Sequence, residues 1–363
     1  MTAAKVMILG WIGSPNLGDE LIAEAVCEML RQADCEPTVV TIDKIASAAL
    51  GVPMVRHAGA LDTIGLARAL LHHDAVVFGG GGLIQDETGP LNLPFHLTRL
   101  GTARALRKPW AGIGLGIGEV RRRSGRALVR AVLRNPVALS VRDAASADRY
   151  FELTGRPAML GIDPVLARHS TNDNSTGDDL VVALRPENRP GQRSLATADP
   201  TTEPQLARWA EAIDLIAEQH DLGIRFVTWD ESHDRRVHEL VGAHLTRPFT
   251  AQQTNASNAI EQMSNGRLAI TMRYHGAVSA VLGSSRAIVL DYSPKMAGLA
   301  AEVGPGVSLI APDASVTQLC DVANTLLSGP PPSVDSVKDR IKRAAVNESV
   351  IAAIADEARR RTS

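Results

Sequence analysis

Short, wholly apolar runs alternate with helical stretches along this chain, and that rhythm restricts its fold more than any other feature. VMILG from Val6, PTVVTI from Pro37, DAVVFGG from Asp74, WAGIGLG from Trp110, VALSVR from Val137 and PAMLG from Pro157 read as strands. Helical patterns fall between them, from Leu21 onward and at 61–72, 93–107, 124–134 and 143–153. A strand that is apolar at every position is buried on both faces. Such strands separated by helices predict a parallel sheet with helices packed on either side.

The rhythm breaks once. Residues 168–179, RHSTNDNSTGDD, are polar and rich in Asn, Ser, Thr and Asp, which marks a linker. The alternation restarts with LVVALR at Leu180 and continues through IRFVTW, LAITM from Leu268 and AIVLD, with helices at 202–220, 231–243, 274–283 and 294–302. PPP at 330–332 is a second break, and a charged helical tail follows from Val334. The expected architecture is α/β, with two doubly wound domains, 1–170 and 178–330, facing across a cleft, and a helical tail at 331–363. In such sheets ligands bind beyond the carboxyl ends of the strands, so the loops just after strands carry the chemistry.

Composition narrows the partners. Lys plus Arg number 38 and Asp plus Glu 40, a net charge of −2, which argues against a dedicated nucleic-acid binder. The few aromatics do not make a base-stacking surface, although Trp11, Phe78, Phe95, Tyr274 and Tyr292 cluster near strand exits, on the side expected to face the cleft. Cys27, Cys35 and Cys320 form no CxxC pair and read as reduced thiols. The start lacks the long apolar core of a signal peptide, and no stretch of about 20 apolar residues occurs. The expectation is a cytoplasmic protein.

Four loops stand out. Residues 10–20, GWIGSPNLGDE, leave the first strand and open the first helix; they read either as a turn with Asp19 as helix cap or as a ligand loop with two carboxylates, Asp19 and Glu20. Gly79–Gly82 follow a strand, and four consecutive glycines point to close packing of ligand or backbone. Asp86 and Glu87 beyond them either reach such a ligand or are solvated loop carboxylates. Arg273 and His275 leave another strand two residues apart, with a helix N-terminus behind them; they read either as a pair facing the ligand or as an Arg in a surface ion pair and a His capping its helix. Lys295 follows the next strand and Arg185 an earlier one. Together Arg185, Arg273, His275 and Lys295 fit a small, multiply charged anion. The histidines at 72–73 and 233–238 lack the spacing that places two zinc ligands on one helix face. Arg121, Arg122 and Arg123 read as a solvated turn or as a contact for anionic lipid headgroups.

At these loops the chain resembles the polysaccharide pyruvyl transferase family, in its cell-wall, CsaB-like branch. The resemblance runs from Val6 to about Gly304. It rests on NLGDE at Asn16, GGGGLIQDETGP at Gly79, SVRDAASADRY at Ser140, DPVLA at Asp163, ALRP at Ala183, MRYHGAVSAVLG at Met272 and DYSPK at Asp291. It implies two Rossmann-like domains arranged as in GT-B glycosyltransferases. It further implies transfer of the pyruvyl group of phosphoenolpyruvate onto two hydroxyls of a sugar, giving a ketal and phosphate, with no metal and no cofactor. In that branch the acceptor is typically a N-acetylmannosamine residue on a lipid-linked precursor, which brings peripheral contact with the inner membrane face into view.

The resemblance and the chemistry together assign roles. Arg185, Arg273, His275 and Lys295 bind phosphoenolpyruvate. His275 delivers the proton to its methylene carbon or assists phosphate departure. Asn16, Asp19, Glu20, Gly81, Gly82, Gln85 and Asp86 form the acceptor side. His275, Arg273 and Asp19 are the catalytic set. A nucleotide-sugar glycosyltransferase of the same architecture is the alternative, and a non-catalytic sugar- or partner-binding protein is a second. Oligomeric state is left open.

Overall fold

The computed structural model describes residues 3–59, 62–87, 89–168, 177–186, 203–291, 294–304, 306–333, 335, 337 and 339–362. The chain divides into two compact units. The linker expected at 168–179 lies largely outside the described residues.

The first unit comprises Met1–Ser14, Asp19–Arg168 and Asp339–Ser363. Its sheet contains β1 (Ala4–Leu9), β2 (Cys35–Thr41), β3 (Met54–Arg56), β4 (Ala75–Ile84), β5 (Trp110–Ile117), β6 (Leu139–Val141) and β7 (Met159–Leu160). They lie in the order β3-β2-β1-β4-β5-β6-β7, and every pairing is parallel. Helices α1 (Leu17–Gln32), α2 (Thr63–Leu71), α3 (Asn92–Ala105), α4 (Arg123–Val132) and α5 (Ala144–Thr154) connect them. Met7, Leu9, Phe78, Leu97 and Leu115 sit in the core without exposure. Phe78 is therefore core, not an aromatic at a binding face.

The second unit comprises Pro15–Gly18 and His169–Lys338. Its strands are β8 (Asp179–Ala183), β9 (Gly223–Val227), β10 (Phe249–Gln252), β11 (Gly266–Thr271), β12 (Arg286–Leu290) and β13 (Val307–Ile310). The order β10-β9-β8-β11-β12-β13 is again wholly parallel. Helices α6 (Glu203–His220), α7 (Glu231–Gly242), α8 (Ala259–Ser264), α9 (Tyr274–Leu282), α10 (Pro294–Val303) and α11 (Val316–Ser328) intervene. Leu180, Val182, Phe226, Met272 and Ile288 are fully buried in its core. In each sheet the first three strands run outward one way and the fourth starts on the other side of the first. The order reverses between β1 and β4 in one unit and between β8 and β11 in the other, the crevice where doubly wound sheets bind ligands.

Three sequence expectations change. The glycine block is not a loop, because β4 runs through it to Ile84 and pairs with β5 across a register shift between Gly81 and Ile84. The tail does not form a segment of its own. Helix α12 (Arg340–Thr362) belongs to the first unit, burying Val350, Ile351, Ile354, Ala355 and Ala358 at helical spacing within a charged sequence. Strands β3, β10 and β13 carry no continuous apolar run, β10 being exposed at every residue, so periodicity does not reveal them.

Candidate functional site

At the switch point of the second unit, β8 leads into Arg185 and β11 into Arg273, Tyr274 and His275. The two exits are tied, since Met272 N–H donates to the Ala183 carbonyl at 3.0 Å. The turn after β11 is fixed by Thr271, whose Oγ1 accepts the Arg273 N–H at 2.9 Å. Arg273 sits at the N-cap of α9 in extended backbone conformation. The first-turn N–H groups of a helix lack intrahelical acceptors and favour an anion.

Asp234, on α7, fixes the Arg273 side chain. Its carboxylate is fully buried and accepts the N–H groups of Trp229 at 2.8 Å and Asp230 at 3.0 Å. It also accepts Arg273 Nε at 3.2 Å and, more closely, Nη2. Two nitrogens of the guanidinium are thus held edge-on, and its plane is set before any ligand arrives. Behind Arg185, the Leu184 N–H donates to His238 Nε2 at 3.2 Å. Burial lowers the His238 pKa to about 4, which keeps this ring neutral and able to accept.

Trp229 closes the group from the exit of β9. A Cβ on Gly276 would lie 3.5 Å from its Nε1, so the indole N–H rests against the first turn of α9. That N–H is buried and has no hydrogen-bond acceptor among the described residues. His275 is 8% exposed and meets Tyr274 edge-on at 5.1 Å. The short segment Pro15–Gly18 belongs here as well, with Leu17 N–H donating to the Trp229 carbonyl at 3.0 Å. A Cβ on Gly18 would stand 2.1 Å from His275 Nδ1, so only glycine lets the chain pass the ring. The sequence reading groups Asn16 with the acceptor residues of the first domain. The structure instead groups Pro15–Gly18 with the second unit, because these backbone contacts claim the segment. Lys295 lies in the first turn of α10; its side chain, like Tyr292 and Ser293, is outside the described residues.

At the switch point of the first unit, helix α1 lies on the glycines of β4. Gly80 and Gly81 have φ of +66° and +76°. A Cβ on Gly80 would fall 1.8 Å from Ile22 Cγ2, and one on Gly81 3.1 Å from Asp19 Oδ1. The block therefore brings the Asp19 carboxylate onto bare backbone. Ser14 Oγ donates to Asp19 at 3.5 Å, and a cavity of about 10 Å³, one water's worth, lies beside Asp19, Trp11 and Gly79. Buried Arg99 braces the preceding turn by donating to the Gly10 carbonyl at 2.7 Å. Arg142 packs beneath, its guanidinium carbon 2.9 Å from where a Gly116 Cβ would stand, and it pairs with Asp163 at 3.8 Å.

Two of the carboxylates read from sequence turn inward. Glu20 accepts the Gly13 N–H and, at 3.2 Å, Ser47 Oγ, pinning the loop onto its own helix. Burial raises its pKa to about 7 against those bonds, with the Asp19 charge adding to the rise. Asp86 accepts the N–H groups of Arg121 at 3.0 Å and Arg122 at 2.9 Å. Burial alone would raise its carboxyl, but these bonds and the Arg122 charge outweigh that and hold it below the usual range. Gln85 Oε1 accepts the Glu87 N–H at 2.6 Å, and Gly82 is exposed with open space at its α-carbon. The sites of Asp234 and Trp229 were absent from the sequence reading. Trp229 obeys the same strand-exit rule as Arg185 and was legible by it; Asp234, 39 residues before its partner, was not. Among the described residues no group of three or more His, Cys, Asp or Glu side chains is placed to hold a metal ion.

The twofold Rossmann architecture is that of GT-B sugar-nucleotide enzymes. A UDP-GlcNAc 2-epimerase from Methanocaldococcus jannaschii superposes with a TM-score of 0.64 at 15% identity, over 94% of this chain and 98% of its own. A putative UDP-N-acetylglucosamine 2-epimerase from Listeria monocytogenes gives 0.62 at 12%, over 98% and 96%. A glycosyltransferase from Rickettsia africae gives 0.57 at 9%, over 100% and 97%. At such identities the likeness is one of fold. No curated protein matches the chain. The family model for polysaccharide pyruvyl transferase matches residues 16–294, and the chain belongs to that family. The match begins at Asn16 and spans the glycine block and the Arg273–His275 turn.

Proposed function

We propose that this protein transfers the pyruvyl group of phosphoenolpyruvate to two hydroxyls of one sugar residue, forming a cyclic ketal and releasing phosphate. The acceptor is a N-acetylmannosamine-type residue of a cell-wall polysaccharide or its lipid-linked precursor, as in the CsaB-like branch, and the reaction takes place in the cytoplasm. The observation that carries this reading is the cationic turn at the β8–β11 switch point, with Arg273 locked by Asp234 beside Arg185 and His275. Phosphoenolpyruvate has a phosphate and a carboxylate but no base or ribose, so it needs several cations at short range and little else.

The chemistry balances as follows. A proton adds to the methylene carbon, which becomes the methyl group, and the adjacent carbon turns electrophilic. One acceptor hydroxyl attacks it, the carbon–oxygen bond to phosphate breaks, and the second hydroxyl closes the ketal. Of the two hydroxyl protons, one replaces that taken up by the methyl group and one leaves with phosphate. His275 supplies the first proton; Arg185, Arg273 and Lys295 hold the anion; Asp19 orients or deprotonates the acceptor. No metal or further cofactor enters this scheme.

The test is phosphate release from phosphoenolpyruvate across a panel of lipid-linked and aryl-linked sugars, with mass spectrometry of the product. His275→Ala is expected to lower turnover by ~10²–10⁴-fold; a folded variant with near wild-type turnover contradicts the assignment. A second reading draws on the solved neighbours, one of which is described in complex with UDP-GlcNAc and UDP. A nucleotide-sugar transferase would release UDP from UDP-sugars and leave phosphoenolpyruvate intact in the same panel.

A further inference from the structure

Between Val120 and Arg142 the chain carries no acidic residue, and within that span stand Arg121, Arg122, Arg123, Arg126, Arg130 and Arg134, all exposed. Arg123, Arg126 and Arg130 recur at i, i+3 and i+7 of α4, which aligns them on one helix face. Val129 and Val132 occupy the buried side. Arg130 suits the last turn of α4 and donates to the Leu153 carbonyl at 3.1 Å, but the rest of the stripe does not serve the helix. Arg123 and Arg126 fall in its first turn or just beyond, where the helix dipole disfavours positive charge. Nor is it neutralised from outside. Arg121 pairs with Glu119 and Arg122 sits 4.0 Å from Asp86, but Arg123, Arg126 and Arg134 make no ion pair with a described residue. Helix α12 offers the contrast: its arginines 359–361 are matched by Asp356 and Glu357 on the same helix.

The surroundings favour a bilayer over a nucleic acid. Gly125, in the first turn of α4, packs on Leu93, and two residues before it Leu91 stands 76% exposed. An apolar side chain beside an arginine stripe fits a headgroup interface, where apolar and cationic groups are both accommodated. A groove of about 180 Å³ runs along the same edge, walled by Arg121, Arg126 and Arg149 but also by Glu119 and Glu152. That mixed lining suits a phosphodiester carrying free hydroxyls better than a bare polyphosphate track. The net charge of −2 for the whole chain also leaves no general basic field for nucleic acid. No helix of the described residues is long and apolar enough to cross a membrane.

We infer that the α4 face of the first unit docks on an anionic phospholipid surface. The arginines supply the attraction, Leu91 inserts at the interface, and the contact is peripheral and salt-sensitive. The inference stands on the arginine face and not on pyruvyl transfer, and the test contains neither phosphoenolpyruvate nor a sugar, so the two succeed or fail separately.

The full-length protein is mixed with vesicles of phosphatidylcholine alone or with about one-third phosphatidylglycerol, and bound protein is separated by flotation. Each arginine near such a surface contributes roughly five-fold in affinity, so Arg123→Gln, Arg126→Gln and Arg134→Gln combined should weaken binding on the order of a hundred-fold. The same three changes to Lys should preserve it. For the unaltered protein, binding should fall steeply between about 0.1 M and about 0.5 M salt. These measurements on the unaltered protein do not depend on any variant folding. Equal binding to both vesicle types, no binding at low salt, or a folded Gln variant that binds as the parent does would each overturn the proposal. So would binding to single- or double-stranded oligonucleotides as tight as to the anionic vesicles.

Discussion

Neutralising Asp234 should both destabilise the second unit and disarm its anion site. Asp234 is fully buried and gathers four donors, two backbone N–H groups and two nitrogens of Arg273. In Asp234→Asn the shape is kept, but the Arg273 guanidinium, 8% exposed, loses its direct counter-charge. Removing one partner of a buried pair costs about 3–5 kcal/mol, because the other charge stays desolvated. Asp230 is also close enough to feel the Arg273 charge, which places the expectation near the lower end, about 3 kcal/mol. Replacing both partners removes the stranded charge, so Asp234→Asn with Arg273→Met should recover about 2 kcal/mol relative to Asp234→Asn alone. Urea unfolding followed by far-UV circular dichroism measures these differences. Calorimetric titration with phosphoenolpyruvate reads the second effect, a Kd raised at least ten-fold in Asp234→Asn because the guanidinium plane is no longer fixed, about 1.4 kcal/mol. If Asp234→Asn costs under about 1 kcal/mol and binds phosphoenolpyruvate normally, Asp234 does not position Arg273 and the reasoning fails.

Other substitutions probe other parts of the two sites. Glu20 should make the first unit less stable as pH rises: its folded pKa of about 7 exceeds the unfolded 4.5, so between those values the folded state keeps a proton the unfolded state has lost. The loss, about 3 kcal/mol by pH 7 and constant above it, should vanish in Glu20→Gln; equal urea midpoint shifts for both proteins between about pH 5 and about pH 8 would count against it. Gly80→Ala must accept a left-handed φ and displace Ile22, and should cost roughly 2–4 kcal/mol by thermal unfolding; an unchanged melting temperature would show that α1 yields freely. Trp229→Phe deletes a buried donor beside α9 while keeping the ring. A rise of roughly five-fold in KM for phosphoenolpyruvate, with unfolding unchanged, is the outcome if that N–H meets the substrate; an unaltered KM removes Trp229 from the site.

Periodicity carried most of the fold. The strands that are apolar throughout, such as Ala75–Phe78 and Leu180–Ala183, announce a buried parallel sheet, and the strand-exit rule then led to Arg185, Arg273 and His275. The glycines of β4 misled because a glycine run looks like a loop; what demands glycine is the close passage of Ile22, a contact between distant residues. Glu20 and Asp86 misled for a related reason. A carboxylate near a strand exit looks available in sequence, and only the fold reveals that backbone N–H groups already claim it. Asp234 lies on a helix whose pattern gives no sign of a buried charge, since its partner is supplied by the turn between β11 and α9. Edge strands such as β10, exposed at every residue, carry no continuous apolar run to announce them.

The return of α12 has a consequence for how the protein is made. The first unit uses the chain up to Arg168 and then again from Asp339, with the second unit synthesised in between. Asn347 donates to the Ile162 carbonyl and accepts from Ser140, and Arg343 donates to the Gly161 carbonyl, so α12 is tied to the end of the sheet at β6 and β7 while it also packs on β1, β4 and β5. On the ribosome the second unit has all its strands while the first still lacks α12. The unit begun first therefore stays open until α12 has emerged, and the apolar side chains that α12 packs against are exposed in the meantime.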